Sequence, residues 1–236
     1  MQGLTEILTQ GEGYIVLEKF IPESLIIEYN ARLKDLYPVR ASSSKKVYAE
    51  RDDIKNLEDI SVWWSQSIHD LPEAIAIRRY IDTTVQTDYP NLDFYAGDNV
   101  TTVAGSQWIN PHVDTPHRFK KWNYDQRLLG IQCIVSLMDT DSTNGSTGVV
   151  PYSQKRDFDI DKCYSGNYTR WFMNNAIQPD MPIGSVLLYN CRVLHSSMPN
   201  NTSVDRPALL FNYLDNSILD EVKAVDNIWK SNGKRS

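Results

Sequence analysis

Three side chains with metal-binding chemistry stand out in a chain that contains only four histidines. His112 and Asp114 are two residues apart in the stretch "PHVDTPH", and residues i and i+2 of a strand project from the same face. His195 ends the distant apolar run "GSVLLYNCRVLH". Two histidines and one carboxylate on one face of an octahedron leave three positions open, as in non-haem Fe(II) oxygenases. We therefore predict that His112, Asp114 and His195 bind one metal ion.

A second polar group follows His195 and predicts a carboxylate pocket beside the metal. Ser197 shares a strand face with His195, and Arg206 opens the strand "RPALLFNYL" eleven residues after it. A guanidinium that lines the same cavity, but is too distant to bind the metal, suits a carboxylate held by paired hydrogen bonds. A salt bridge at a strand edge is the alternative interpretation of Arg206.

These residues need a scaffold. The second half of the chain consists of short apolar runs separated by Gly, Pro, Asn and Asp, a pattern typical of an antiparallel sandwich or barrel. Its apolar runs are "NVTTVAGSQWI", "LLGIQCIVSLM", "GVVPYS", "GSVLLYNCRVLHSS" and "RPALLFNYL". The front third is predicted to be mainly helical after an initial strand, "GYIVLEKF". One helix is expected from residue 22 to about 36, and a second helical region from about 61 to 86, interrupted at Pro72.

The order of these motifs resembles the phytanoyl-CoA dioxygenase-like family of Fe(II)- and 2-oxoglutarate-dependent oxygenases. The resemblance rests on "HVD", "LHSS", the following arginine, "TNGSTGVVPYSQ" and "GYIVLEKFIPESLI", and it extends from Gly13 to about Leu214. It implies a mainly β fold with flanking helices and a double-stranded β-helix core of the jelly-roll, cupin-like kind. We expect one domain over residues 1–236, with a helical part at about 14–90, a core at about 95–215 and a lid insertion at about 157–180.

The resemblance also implies the chemistry. The family's metal ligands fall on His112, Asp114 and His195, and its 2-oxoglutarate clamp falls on Arg206 with Ser197. Fe(II), 2-oxoglutarate and O₂ would then hydroxylate a C–H bond of a small substrate, with release of succinate and CO₂. Halogenating relatives replace the carboxylate by a small residue, so the aspartate favours hydroxylation. The chain departs from the family at "PYSQ", where relatives usually read like PGSH.

Period-two alternation in "LLGIQCIVSLM" separates a wholly apolar face from a mixed one. The mixed face carries Gln132, Ile134, Ser136 and Met138. A barrel that holds a charged ligand would turn this face inward, so we expect Gln132 to lie near the cosubstrate.

The segment "HRFKKWNYDQR" directly after the first two ligands carries four cations with interleaved aromatic residues. At the mouth of a cavity, Arg118 and Lys120 would steer an anionic substrate that stacks on aromatic rings. His117 is expected at the rim, and Trp108 on the floor of the pocket. A solvated loop is the alternative.

The net charge of −6 does not favour a nucleic-acid partner, although a local basic patch leaves one open. The sequence contains no apolar run long enough to cross a bilayer and no signal peptide, so a cytoplasmic protein that does not contact membranes is expected. The oligomeric state stays open. Two other functions compete: a cupin-like metal-dependent isomerase or hydrolase that needs no arginine clamp, and a non-enzymatic jelly-roll binding module.

Overall fold

The computed structural model describes residues 3–36, 62–65, 70–106, 111–159, 162 and 168–231. In chain order the helices are α1 Leu4–Thr9, α2 Glu23–Leu36, α3 Pro72–Asp88, α4 Thr169–Asn175 and α5 Asn216–Ser231. The strands are β1 Tyr14–Leu17, β2 Val62–Ser65, β3 Leu92–Thr102, β4 Gly130–Ser136, β5 Thr147–Val149, β6 Val186–Asn190, β7 His195–Ser197 and β8 Arg206–Asp215. Within these ranges no helix has the length and apolar character that a membrane span requires.

Two antiparallel sheets form the core. The larger sheet has the strand order β1-β6-β4-β8-β3-β2, and the smaller sheet pairs β5 with β7. Isolated bridges extend the smaller sheet on both sides, because His112 pairs with His195 and Val149 pairs with Ile177. The strands and flanking helices confirm the predicted mainly β fold with a double-stranded β-helix core.

The two faces of β4 pack against different layers. Ile131, Cys133 and Val135 join the hydrophobic cluster that also contains residues of helices α1, α2 and α3. Ile134 packs instead with Tyr189 of the larger sheet and Val149 of the smaller one. Because side chains alternate along a strand, this places the mixed face of β4 between the sheets. The predicted inward orientation of that face is confirmed.

One predicted element is wrong. Residues 62–65, expected as the first part of a helical region, form β2 and pair antiparallel with residues 99–102 of β3. Their sequence, "VWWS", is β-branched and aromatic, which suits an edge strand better than a helix. Helix α3 begins only at Pro72, where the missing N–H of proline leaves no hydrogen bond unsatisfied.

Two unusual backbone conformations flank β5. Gly145 of the "NG" turn has φ of 80°, and a Cβ atom there would lie 2.6 Å from the backbone oxygen of Met198. Tyr152 has φ of 62° and ψ of 6°, in the left-handed region. The turn of "PYSQ" therefore keeps a conformation that favours glycine, although tyrosine stands there.

Replacement of Tyr152 by glycine is expected to stabilise the protein. A non-glycine residue in the left-handed region costs roughly 1–2 kcal/mol, and the greater freedom of glycine in the unfolded chain offsets about 0.4–1 kcal/mol of that gain. Urea denaturation should therefore show a free energy of unfolding raised by about 0.5–1 kcal/mol. Tyr124→Gly is the control, because Tyr124 is also exposed and does not have a positive φ. A loss of stability in both variants would contradict the argument.

The described parts of the predicted lid pack behind the smaller sheet. Phe158 and Phe172 form a cluster with Val113 and Leu194. Val113 lies between His112 and Asp114 in sequence, so its side chain points away from the face that carries them. This part of the insertion therefore supports the strands from outside. Residues 160, 161 and 163–167 of the predicted lid lie outside the described residues.

Candidate metal centre

The three predicted ligands come together between the sheets. His112 and His195 exchange two backbone hydrogen bonds of 3.0 Å, and their ring centroids are 4.4 Å apart. The backbone N–H of Asp114 donates to the carbonyl of Cys191 at 2.8 Å. Asp114 Oδ2 then lies 3.4 Å from His195 Nε2. One ligand atom from each of the three residues lies within 4.8 Å of the other two.

The chemistry of this donor set fits a divalent metal ion. His195 Nδ1 lies 3.0 Å from the carbonyl oxygen of Val193, so Nδ1 carries the proton and Nε2 keeps its lone pair. Nε2 is the nitrogen that lies 3.4 Å from Asp114 Oδ2. Imidazole nitrogens and a single carboxylate are the ligands of non-haem Fe(II) sites.

Tyr189 is a polar residue at the cluster that the sequence analysis did not identify. Its hydroxyl donates to Asp114 Oδ2 at 2.9 Å and lies 3.1 Å from His195 Nε2. Burial raises the pKa of Tyr189 well above its ordinary value, so the phenol stays protonated. Alternation along "VLLYN" places Leu187 and Tyr189 on one face, and this signal could have found it.

Arg206 is a buried cation beside the cluster. Its Nη2 donates to Thr102 Oγ1 at 2.6 Å and lies 3.5 Å from Ser197 Oγ, while its Nε has no hydrogen-bond partner among the described residues. Burial lowers its pKa to about 10, so it is charged at neutral pH. A buried guanidinium with an unpaired N–H fits a ligand carboxylate. Thr102 was missed, because only the register shows it opposite Arg206.

Gln132 lies on the inner face of β4, away from the arginine. Its Oε1 accepts a hydrogen bond of 2.7 Å from Asn212 Nδ2. Asn212 is opposite it on β8, six residues from Arg206. Gln132 is therefore not part of the guanidinium pocket, and its contact with the cosubstrate stays a prediction.

Two of the residues predicted to contact substrate, Trp108 and His117, are not found at the rim or floor of a pocket in the described structure. Trp108 lies outside the described residues. His117 is not at a rim, because its side chain is 0% exposed and its Nδ1 lies 2.9 Å from the carbonyl of Trp122. Burial lowers the pKa of His117 to about 4, so the ring is neutral at pH 7. This placement corrects the rim interpretation of His117.

The basic segment after the ligands is largely neutralised. Its cations pair with carboxylates: Arg118 with Asp226, Lys121 with Glu221, and Arg127 with Asp125. Two of these pairs tie the segment to α5, while Lys120 is exposed. The segment therefore presents less positive charge than its sequence suggests, and the structure gives no support for anion steering by Arg118.

The model of the phytanoyl-CoA dioxygenase family matches residues 9–208 of the chain. None of the curated proteins compared with the chain matches it in sequence.

Solved structures share the fold at low sequence identity. The epimerase SnoN, in complex with Fe³⁺, α-ketoglutarate and nogalamycin RO, has a TM-score of 0.67 at 16% identity, covering 89% of this chain and 82% of its own. The α-ketoglutarate-dependent carbocyclase SnoK from nogalamycin biosynthesis has a TM-score of 0.67 at 15% identity, covering 91% and 84%. EctD from S. alaskensis, with 2-oxoglutarate and 5-hydroxyectoine, has a TM-score of 0.65 at 16% identity, covering 92% and 77%. The family match spans most of the chain, and the chain therefore belongs to the phytanoyl-CoA dioxygenase family of Fe(II)- and 2-oxoglutarate-dependent enzymes.

Proposed function

We propose that the protein is a hydroxylase that inserts one oxygen atom from O₂ into a C–H bond of a small molecule. The observation that carries this proposal is the buried guanidinium of Arg206, unpaired at Nε among the described residues, beside the His112, Asp114 and His195 cluster. A metal site alone suits many reactions. A metal site next to a carboxylate pocket suits a reaction that consumes 2-oxoglutarate.

Each of these residues has a separate task in the proposed mechanism. His112, Asp114 and His195 would hold Fe(II), while Arg206 and Ser197 would hold the far carboxylate of 2-oxoglutarate, with Thr102 fixing the guanidinium. Together with O₂, Fe(II) and 2-oxoglutarate would supply the oxidising power for C–H cleavage, with succinate and CO₂ as co-products. The apolar side chains between the sheets exclude water from the reacting centre.

The other two functions explain less of the geometry. A cupin-like isomerase or hydrolase would use the three ligands but has no need of Arg206, whose burial without a ligand carboxylate costs free energy. A non-enzymatic binding module leaves both the cluster and the arginine without a task. The retained Asp114 carboxylate argues against halogenation, as the family resemblance implies.

The sequence predicts an anionic substrate from the basic segment, but most cations of that segment are paired with carboxylates in the structure. We therefore propose a small-molecule substrate without assigning its charge. Helices α1 to α3 share one hydrophobic cluster with the larger sheet, which supports the proposal that residues 1–236 form one domain. A cytoplasmic location also stays a proposal.

A substrate screen with Fe(II), 2-oxoglutarate and ¹⁸O₂ tests this function. Candidates should include acyl-CoA thioesters and compounds related to nogalamycin and to hydroxyectoine, scored by substrate-dependent succinate and by the mass of the product. Hydroxylation predicts succinate together with a product that gains one labelled oxygen atom. With ascorbate added to supply the two electrons that a redox-neutral reaction lacks, succinate together with a stereoisomer of unchanged mass would indicate epimerisation. A product that has lost two hydrogens would indicate ring closure. Turnover without 2-oxoglutarate would overturn the proposal in favour of a cupin-like enzyme.

A further inference from the structure

The side chain of Tyr189 places a phenol at the cluster of His112, Asp114 and His195, although it is not one of the three proposed ligands. Tyr189 lies on β6 opposite Gln132 of β4, with its ring in the hydrophobic cluster between the sheets. Its side chain is 1% exposed. Phenylalanine would fill the same apolar space, so packing explains the ring and leaves the hydroxyl unexplained.

The hydroxyl contacts two of the proposed metal ligands at once. It donates to Asp114 Oδ2 at 2.9 Å and lies 3.1 Å from His195 Nε2. A buried hydroxyl without a partner loses its hydrogen bonds to water and gains none in return, so these contacts are what make a phenol tolerable at this position. Its two partners come from separate segments, the loop after residue 112 and the start of β7.

Both partners are hydrogen-bond acceptors, and this decides what the hydroxyl does when metal binds. Asp114 Oδ2 accepts the hydrogen bond from Tyr189, and the ring proton of His195 is on Nδ1, directed to Val193 O. A metal bound by His195 uses the Nε2 lone pair. Of the two acceptors, the carboxylate then remains for the single proton of Tyr189.

A hydrogen bond from Tyr189 would restrict the rotation of the Asp114 carboxylate. Asp114 follows the bridge at His112 in an irregular stretch, and its side chain is 25% exposed. A carboxylate in that setting rotates more freely than the buried imidazole of His195. Outer hydrogen bonds orient metal ligands, and loss of one typically costs about 10–100-fold in metal affinity or activity.

We propose that Tyr189 is a positioning residue of the iron site, whose hydroxyl donates to the Asp114 carboxylate and fixes its orientation toward the metal. The proposal rests on the ligand set of the proposed function. It assigns no contact between Tyr189 and substrate. The phenol acts through Asp114, so its effect should appear in iron binding before any reaction starts.

Tyr189→Phe tests the proposal, with Tyr14→Phe as the matched control. Tyr14 lies directly across from Tyr189 on β1, and the acidic group that acts on its hydroxyl is Glu12, which is not a proposed metal ligand. Anaerobic titration should show Fe(II) affinity lowered by about 10–100-fold in Tyr189→Phe and unchanged in the control. At saturating Fe(II) and 2-oxoglutarate, the visible charge-transfer band should also be displaced in Tyr189→Phe alone, a readout that does not depend on affinity. Thermal melting of the metal-free variants checks that both are folded.

The outcomes separate the two proposals. Wild-type affinity and an undisplaced band in Tyr189→Phe would overturn the positioning role while leaving the oxygenase intact. Failure of the wild-type protein to bind Fe(II) would overturn the proposed function itself. Equal losses in both tyrosine variants would indicate a general packing effect, which also contradicts the positioning role.

Discussion

His195→Ala is expected to abolish Fe(II) binding and 2-oxoglutarate turnover. The imidazole is one of three proposed ligands, and its Nε2 lies 3.4 Å from Asp114 Oδ2. Loss of an outer contact to a ligand costs about 10–100-fold in affinity, and loss of a ligand itself should cost more. Anaerobic titration of Fe(II), followed by the visible charge-transfer band of the 2-oxoglutarate chelate, measures the effect directly.

The chain offers a matched control in His117→Gln. His117 is five residues after His112 in sequence, yet it is fully buried and bonded to the carbonyl of Trp122. This variant is expected to lose stability but to keep its Fe(II) affinity in the folded fraction. If the His195→Ala variant bound Fe(II) with wild-type affinity, His195 would not be a metal ligand.

Arg206→Met is expected to weaken 2-oxoglutarate binding strongly while leaving Fe(II) affinity unchanged. Removal of one partner of a buried, hydrogen-bonded charge pair costs roughly 2–5 kcal/mol, which corresponds to a loss of about 30-fold to several thousand-fold. Calorimetric titration of 2-oxoglutarate into the metal-loaded protein gives the affinity. Turnover at high 2-oxoglutarate should recover in part, because the iron ligands are intact.

The same variant should have the opposite effect on the ligand-free fold. In the described residues Arg206 is buried beside hydroxyls and has no carboxylate partner, so methionine of similar length avoids the cost of burying a charge. The ligand-free variant should melt at the wild-type temperature or above it. Arg192→Met is the contrasting variant. Arg192 is also buried, but it bonds to Asn123, Gln154 and Asp157, so its replacement should destabilise the protein. Unaltered 2-oxoglutarate affinity in Arg206→Met would refute the clamp.

The sequence predicts this fold where the pattern is local. Alternation in β4 separates an inner from an outer face without any knowledge of its neighbours, and the structure has the same division. Likewise, His112 and Asp114 are close because they are two residues apart. His195 is predictable because it ends the apolar run "GSVLLYNCRVLH", although in the structure that run is divided between β6 and a turn, and His195 begins β7.

Features that depend on register or long-range pairing were not predictable in this way. Thr102 meets Arg206 only because β3 and β8 pair antiparallel in one register. The sequence predicts that Arg118 contributes positive charge to the surface. In the structure Arg118 bonds to Asp226 of α5, which is 108 residues away in sequence. The sequence predicts helix at residues 62–65, where the structure has a strand, because four residues are too few to show a period.

A crystal structure of the protein grown without oxygen, with Fe(II) and 2-oxoglutarate, tests the central claim most directly. We expect one metal ion bound by His112, Asp114 and His195, with the far carboxylate of 2-oxoglutarate on the Arg206 guanidinium. A metal ion bound elsewhere, or a cosubstrate whose carboxylate does not contact Arg206, would contradict the assignment of this site.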